Sequence, residues 1–184
     1  MTELYTQSHP LYTSFISYSR RDEPFVGYLR EWLTWHGVPS WFAPQDMRQE
    51  EFQSSEAELE RDLYTYVDEA ERVLLVISPN ILPSGWVGKE VQRARHRTAL
   101  IPILIETMPH PDSLEWRALI AKTVDDVPYT QLNPDEYSDQ LKKLLAGYFF
   151  DFRNWREPSV LAQTLPTLLP FLTRTPQPAE PGSS

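Results

Sequence analysis

Two short apolar runs, VLLVIS at 73–78 and ALIPILIE at 99–106, constrain the fold more than any other feature of this chain. Neither alternates polar with apolar residues, so neither suits a strand with one wet face. Uninterrupted runs of this length suit strands of a parallel sheet that is covered on both sides. The segments around them repeat their apolar residues at helical spacing instead. Phe25, Leu29, Trp32, Leu33 and His36 form one such stripe, bracketed by Asp22 near the cap, Pro24 in the first turn and Gly37 as terminator. Strand and helix therefore alternate, which defines an α/β layered architecture with a mostly parallel sheet. At 184 residues the chain is on the scale of one domain.

The remaining elements follow the same logic. YTSFISYS (12–19) reads as the first strand, although its serines weaken the propensity. VPSWFA (38–43) reads as a short second strand, which Pro39 places at a sheet edge or a strand start. Ser55 and Glu58 form a capping box for a helix whose Leu59, Leu63, Val67 and Ala70 face inward. SGWVGKEVQRAR (84–95) is a helix, LEWRALIAK (114–122) a short one, and TVDDVPYT (123–130) holds a weak last strand. Asn133, Pro134 and Glu136 start a further helix with Tyr137, Leu141, Leu144 and Tyr148 on its inner face. Beyond about residue 150, NWREPSVLAQTLPTLLPFL is apolar but broken by proline. The expected organisation is a leader over 1–11, a domain over 12–150, an extension over 151–172 packing on it, and a disordered tail over 173–184.

Composition and motifs exclude several functions. A net charge of −9 argues against a general nucleic-acid binder or a ligand of anionic membranes. Cysteine is absent, and the four histidines (9, 36, 96 and 110) show no metal-ligand spacing, so no metal site is expected. The polar start MTELYTQSHP is not a signal peptide, and no apolar run is long enough to span a bilayer, so a soluble cytoplasmic protein is expected. There is no GxxxxGK[ST], no GxGxxG among the six glycines and no GxSxG elbow. The third strand ends Ile77-Ser78-Pro79, without the aspartate of a phosphoacceptor domain.

Open parallel sheets bind ligands beyond the carboxyl ends of their strands, where the strand order reverses. In the flavodoxin-like five-stranded order 2-1-3-4-5, with helices on both faces, that crevice lies between the first and third strands. The segments leaving them here are SYSRRD (17–22) and SPNILPSGWVGKE (78–90), both polar.

At these segments the chain resembles the TIR (Toll/interleukin-1 receptor) domains, particularly the bacterial kind. FISYSRRD is similar to the family's first-strand motif, and VLLVISPNILPSGWVGKEVQRA to its third strand and following helix, including Trp-x-x-x-Glu as Trp86 to Glu90. WFAPQDMRQEEF sits where the family's mobile loop belongs and lacks a glycine often found there. The resemblance implies an NAD+ nucleosidase in which Glu90 acts on the nicotinamide–ribose bond and the ADP-ribosyl unit is hydrolysed, cyclised or transferred. It further implies a product that signals to a separate effector protein in bacterial antiphage defence, as in a Thoeris-like system. It also implies homo-oligomers formed through TIR–TIR contacts, with NAD as substrate and no other cofactor.

The residues can be weighed against that chemistry. Nicotinamide in NAD is cationic and leaves neutral, so no general acid is needed. One fixed carboxylate, assigned to Glu90, can hold the ribose and stabilise the forming oxocarbenium ion. Trp86, one turn earlier, is a candidate for stacking on a ligand ring. Gly88 allows substrate or backbone to approach the helix. Tyr18, Ser19 and Arg20 stand across the crevice, with Arg20 directed to the pyrophosphate and Ser19 to a hydroxyl. In the plainer reading Glu90 pairs with Arg93 on the flank of the helix and Trp86 covers the core rim. The corresponding rivals to an enzyme are a TIR–TIR interaction module without chemistry and a silent nucleotide sensor.

Overall fold

The computed structural model describes residues 14–42, 64–94, 99–122 and 132–172. Five parallel strands form one sheet in the order β2-β1-β3-β4-β5: β1 Ser14–Ser17, β2 Ser40–Phe42, β3 Arg72–Ile77, β4 Ala99–Leu104 and β5 Phe150–Asp151. The helices are α1 Glu23–Trp35, α2 over 64–69, α3 Gly85–Ala94, α4 Leu114–Ala121, α5 Pro134–Ala146 and α6 Pro158–Leu172. The 2-1-3-4-5 order and the cover on both faces are those expected from the sequence.

The period of two along each strand sorts the core into two layers. Ile16, Leu74, Val76 and Ile103 point to one face, where Phe25, Leu29 and Leu33 of α1 and Leu165, Leu168 and Leu172 of α6 close over them. Leu75, Ile77 and Leu104 point to the other face, under Val87 and Val91 of α3, Trp116 of α4 and Tyr137 and Leu141 of α5. Phe15, Val67, Val73 and Ala94 continue that second layer towards α2. The serines of β1 are compatible with burial because their hydroxyls are satisfied. Ser14 Oγ lies 2.9 Å from Ser40 Oγ, and Ser17 Oγ donates to Glu90. Edge strand β2 is held by Trp41, whose ring stacks on Phe15 at 5.2 Å and on Tyr66 at 3.9 Å.

Several expectations are corrected. TVDDVPYT lies outside the described residues, as do the capping box, the leader, the tail and most of the loop after β2. The fifth position in the sheet is instead taken by Phe150–Asp151, after α5. That strand pairs only with Ile103 and Leu104, so Pro102 meets no described strand on that side, where its missing N–H costs no ladder bond. Tyr148 is not on an inner face, because α5 ends at Ala146 and Tyr148 is 69% exposed. His36 caps the end of α1 and is exposed, its ring against Trp32.

The proline-rich segment is not broken either: α6 runs unbroken over Pro158–Leu172 with Pro166 and Pro170 inside it. Both prolines are exposed, while Leu165, Leu168 and Leu172 are buried. Packing therefore overrides propensity. Trp155 joins the same layer, edge-on to Phe25 at 5.5 Å, and is buried. Trp116 is buried too, its indole N–H donating to Ser138 Oγ at 2.8 Å. If residues 151–172 are integral to the domain, Leu168→Ala costs about 2–5 kcal/mol in denaturant unfolding, as at other core leucines. A loss below about 0.5 kcal/mol would mark the segment as an appendage.

Candidate functional site

The loop after β1 and the segment between β3 and α3 leave neighbouring strands where the sheet order reverses. Strand alternation decides which β1 side chains face α3. Phe15 and Ser17 point to the α3 face, and Ile16 and Tyr18 to the α1 face. Ser17, the last residue of β1, therefore meets α3, and its hydroxyl donates to Glu90 Oε2. Glu90 is only 1% exposed, and its second oxygen, Oε1, is buried with no hydrogen-bond partner.

A buried carboxylate with one hydrogen bond and, among the described residues, no ion-pair partner is costly to ionise. Burial pushes the Glu90 carboxyl up to about 8, against the opposing effect of the Ser17 hydrogen bond. Tyr137 of α5 feels the same charge. Burial first, and Glu90 second, hold its phenol far above the ordinary range, and its hydroxyl donates to Ile81 O at 2.8 Å. Burial thus favours the neutral form of Glu90, and a positive group arriving at Oε1 would favour its ionisation.

The pairing of Glu90 with Arg93 does not form. Arg93 turns outward and makes a bidentate pair with Asp68 of α2, through Nε at 2.7 Å to Oδ1 and through Nη2 to Oδ2. Nor does Glu90 lie on the flank of the buried stripe: it faces inward together with Val87 and Val91. Gly88 admits a side chain, not a backbone. A Cβ there would stand 2.8 Å from Leu132 Cδ2 and 3.0 Å from Cδ1. The tip of Leu132 can move, and alanine is favoured in helices by about 1 kcal/mol over glycine, so Gly88→Ala is expected to shift stability by less than about 1 kcal/mol in urea titration.

The other expected site residues are placed as follows. Trp86 is half-buried against the cluster of Phe15, Val67, Ala70, Val73 and Ala94, with Lys89 Nζ 5.1 Å from its ring centroid. Tyr18 is 1% exposed in the layer under α1, and its hydroxyl donates to Glu23 Oε2 at 2.7 Å. Alternation therefore separates Tyr18 from Glu90. Ser19 is buried at the start of a short 3-10 turn, Arg20–Asp22, and accepts the Asp22 N–H at 2.8 Å through its carbonyl. Arg20 is exposed on that turn. Sequence reasoning gave no site role to Ser17, Asp22, Ser78 or Asn80. The available signal was a small hydroxyl residue closing each of two adjacent apolar strands. Among the described residues no group of three or more potential ligands could hold a metal ion. No described helix is long and apolar enough to cross a membrane.

These features define an α/β domain with an acid buried where the sheet order reverses. Residues 15–145 match the TIR domain family, and the chain belongs to that family. Two solved structures share the fold. The TIR domains of the activated Roq1 resistosome directly recognizing the pathogen effector XopQ align with a TM-score of 0.64 and 18% identity, over 85% of this chain and 99% of theirs. The TIR domain of the Toll-related receptor TRR-2 from the lower metazoan Hydra magnipapillata aligns with a TM-score of 0.56 and 18% identity, over 89% of this chain and 99% of that one. No curated protein matches the chain.

Proposed function

We propose that this chain is an NAD-consuming TIR enzyme of the bacterial kind, with Glu90 as the catalytic carboxylate. The bond between ribose C1 and the nicotinamide nitrogen breaks, and its electron pair leaves with neutral nicotinamide. Positive charge develops on the ribose, where a carboxylate in a dry site stabilises it far better than water would. A nucleophile then adds to C1: water for hydrolysis, a ring atom of the same ligand for cyclisation, or another acceptor for transfer. NAD is the substrate, and no further cofactor is invoked.

The supporting observation is the state of Glu90: buried, held by Ser17 through one oxygen and unpartnered at the other. A structural glutamate would be expected to have found a partner, because an unsatisfied buried acceptor costs about 1–3 kcal/mol. Arg20 and Trp86 are assigned to the pyrophosphate and a ligand ring respectively, with Tyr18 and Ser19 shaping the β1 loop. An ADP-ribose-derived product acting on a separate effector in antiphage defence, Thoeris-like, is the proposed role, in the cytoplasm and with TIR–TIR contacts building a homo-oligomer. Incubation of the protein with NAD tests the chemistry. Glu90→Ala should lower nicotinamide release at least about 100-fold.

A second reading has its own support. At 1% exposure Glu90 is closed to solvent, which suits an interaction module that performs no chemistry. The two differ in whether NAD is consumed at any protein concentration.

A further inference from the structure

One buried acid joins the two walls of the crevice. Asp22 is 4% exposed and stands at the N-cap position of α1, yet its side chain makes no cap hydrogen bond. Its Oδ2 accepts from Ser78 Oγ at 2.7 Å, and its Oδ1 accepts from Asn80 Nδ2 at 2.7 Å. Ser78 Oγ in turn accepts the backbone N–H of Asn80 at 3.0 Å. A residue placed to stabilise its own helix is directed instead to the segment that leaves β3.

These contacts and the Ser17–Glu90 bond tie the same two walls together. Ser17 and Asp22 flank the β1 loop, while Ser78 and Asn80 open the segment whose helix carries Glu90. Tyr137 holds the middle of that segment through Ile81 O. Removing Asp22 would remove both side-chain hydrogen bonds described between the β1 loop and Ser78 and Asn80, leaving the Tyr137 bond to Ile81 O in place. Burial raises the Asp22 carboxyl above its ordinary value, opposed by the Ser78 and Asn80 hydrogen bonds. Glu106 adds to the rise and Arg21 opposes it. The carboxylate is thus held chiefly by the two groups it clamps.

We infer that Asp22, through Ser78 and Asn80, is a positioning residue that clamps the start of α3 to the β1 loop and so fixes where Glu90 stands. The positioning role rests on the reading of Glu90 given above; the clamp itself does not. Asp22→Asn and Asn80→Ala are compared with wild type in the full chain, with Ser14→Ala as control, since it removes a buried serine contact at the far end of β1. Amide hydrogen exchange over 81–91 should accelerate at least about tenfold in both clamp variants and not in the control. The kcat for nicotinamide release should fall about tenfold while KM moves less than about threefold.

Unchanged exchange over 81–91 in both variants would overturn the clamp. Faster exchange with wild-type kcat would overturn the positioning role. Wild type releasing no nicotinamide would overturn the positioning role together with the proposed function, and the exchange comparison would then decide the clamp alone. Asn80→Ala leaves the buried acid in place, so it keeps the comparison usable if Asp22→Asn does not fold.

Discussion

Glu90→Gln should melt on the order of 10 °C above the wild type near pH 9, and at about the same temperature near pH 5. The reason is proton linkage. In the folded protein Glu90 titrates at about 8, above the ordinary value of 4.5. Between those values the native state binds the proton and the unfolded chain does not. The stability due to neutral Glu90 is therefore fully present below the unfolded value and is lost as pH rises through the folded one. Each pKa unit corresponds to about 1.4 kcal/mol, so a few kcal/mol are at stake above pH 8. Glutamine keeps the shape and can still accept from Ser17, but it never ionises. Asp22 shifts in the same direction, which is why the single substitution, and not the wild-type profile alone, isolates Glu90. A difference in melting temperature that does not depend on pH would mean that the Glu90 carboxyl is not the buried acid described.

The second large effect is on the pH dependence of cleavage. If the carboxylate is the working form, kcat/KM should rise with pH and level off above about 8, because it reports the free enzyme. The kcat profile, which reports the complex, should rise at lower pH. The cationic nicotinamide ring then stands near the carboxyl and favours its charged form. Ser17→Ala removes the hydrogen bond that lowers the Glu90 value, so the kcat/KM midpoint should move to higher pH. Steady-state rates from about pH 6 to about pH 10 check this. A flat profile, or a Ser17→Ala midpoint shifted downward, would contradict it.

The sheet was legible because its central strands are buried on both faces and leave uninterrupted apolar runs, as at Leu74 to Ile77. The fifth strand was not, because Phe150–Asp151 is two residues long and carries no period. The course of α6 was hidden by Pro166 and Pro170, whose propensity argues for a break that Leu165, Leu168 and Leu172 overrule by packing. At the site, sequence spacing located Glu90 on the right helix, but a helical wheel put it only on the flank of the buried stripe. A helical wheel cannot know that a serine 73 positions away offers a hydroxyl, or that Arg93 prefers Asp68. The same limit hid Asp22, whose partner Ser78 is 56 residues distant and which looks from sequence like an ordinary helix cap. Tyr18 shows the converse. Its neighbour Ser17 reaches Glu90, so alternation sends Tyr18 to the opposite layer.

The most direct test follows nicotinamide release from NAD by wild type and Glu90→Gln side by side near pH 8.5, with the melting temperature of each recorded in the same buffer. The wild type should release nicotinamide, and the variant, although more stable, should not. Equal release by both, or none by the wild type at any protein concentration, would rule out Glu90 as the catalytic carboxylate.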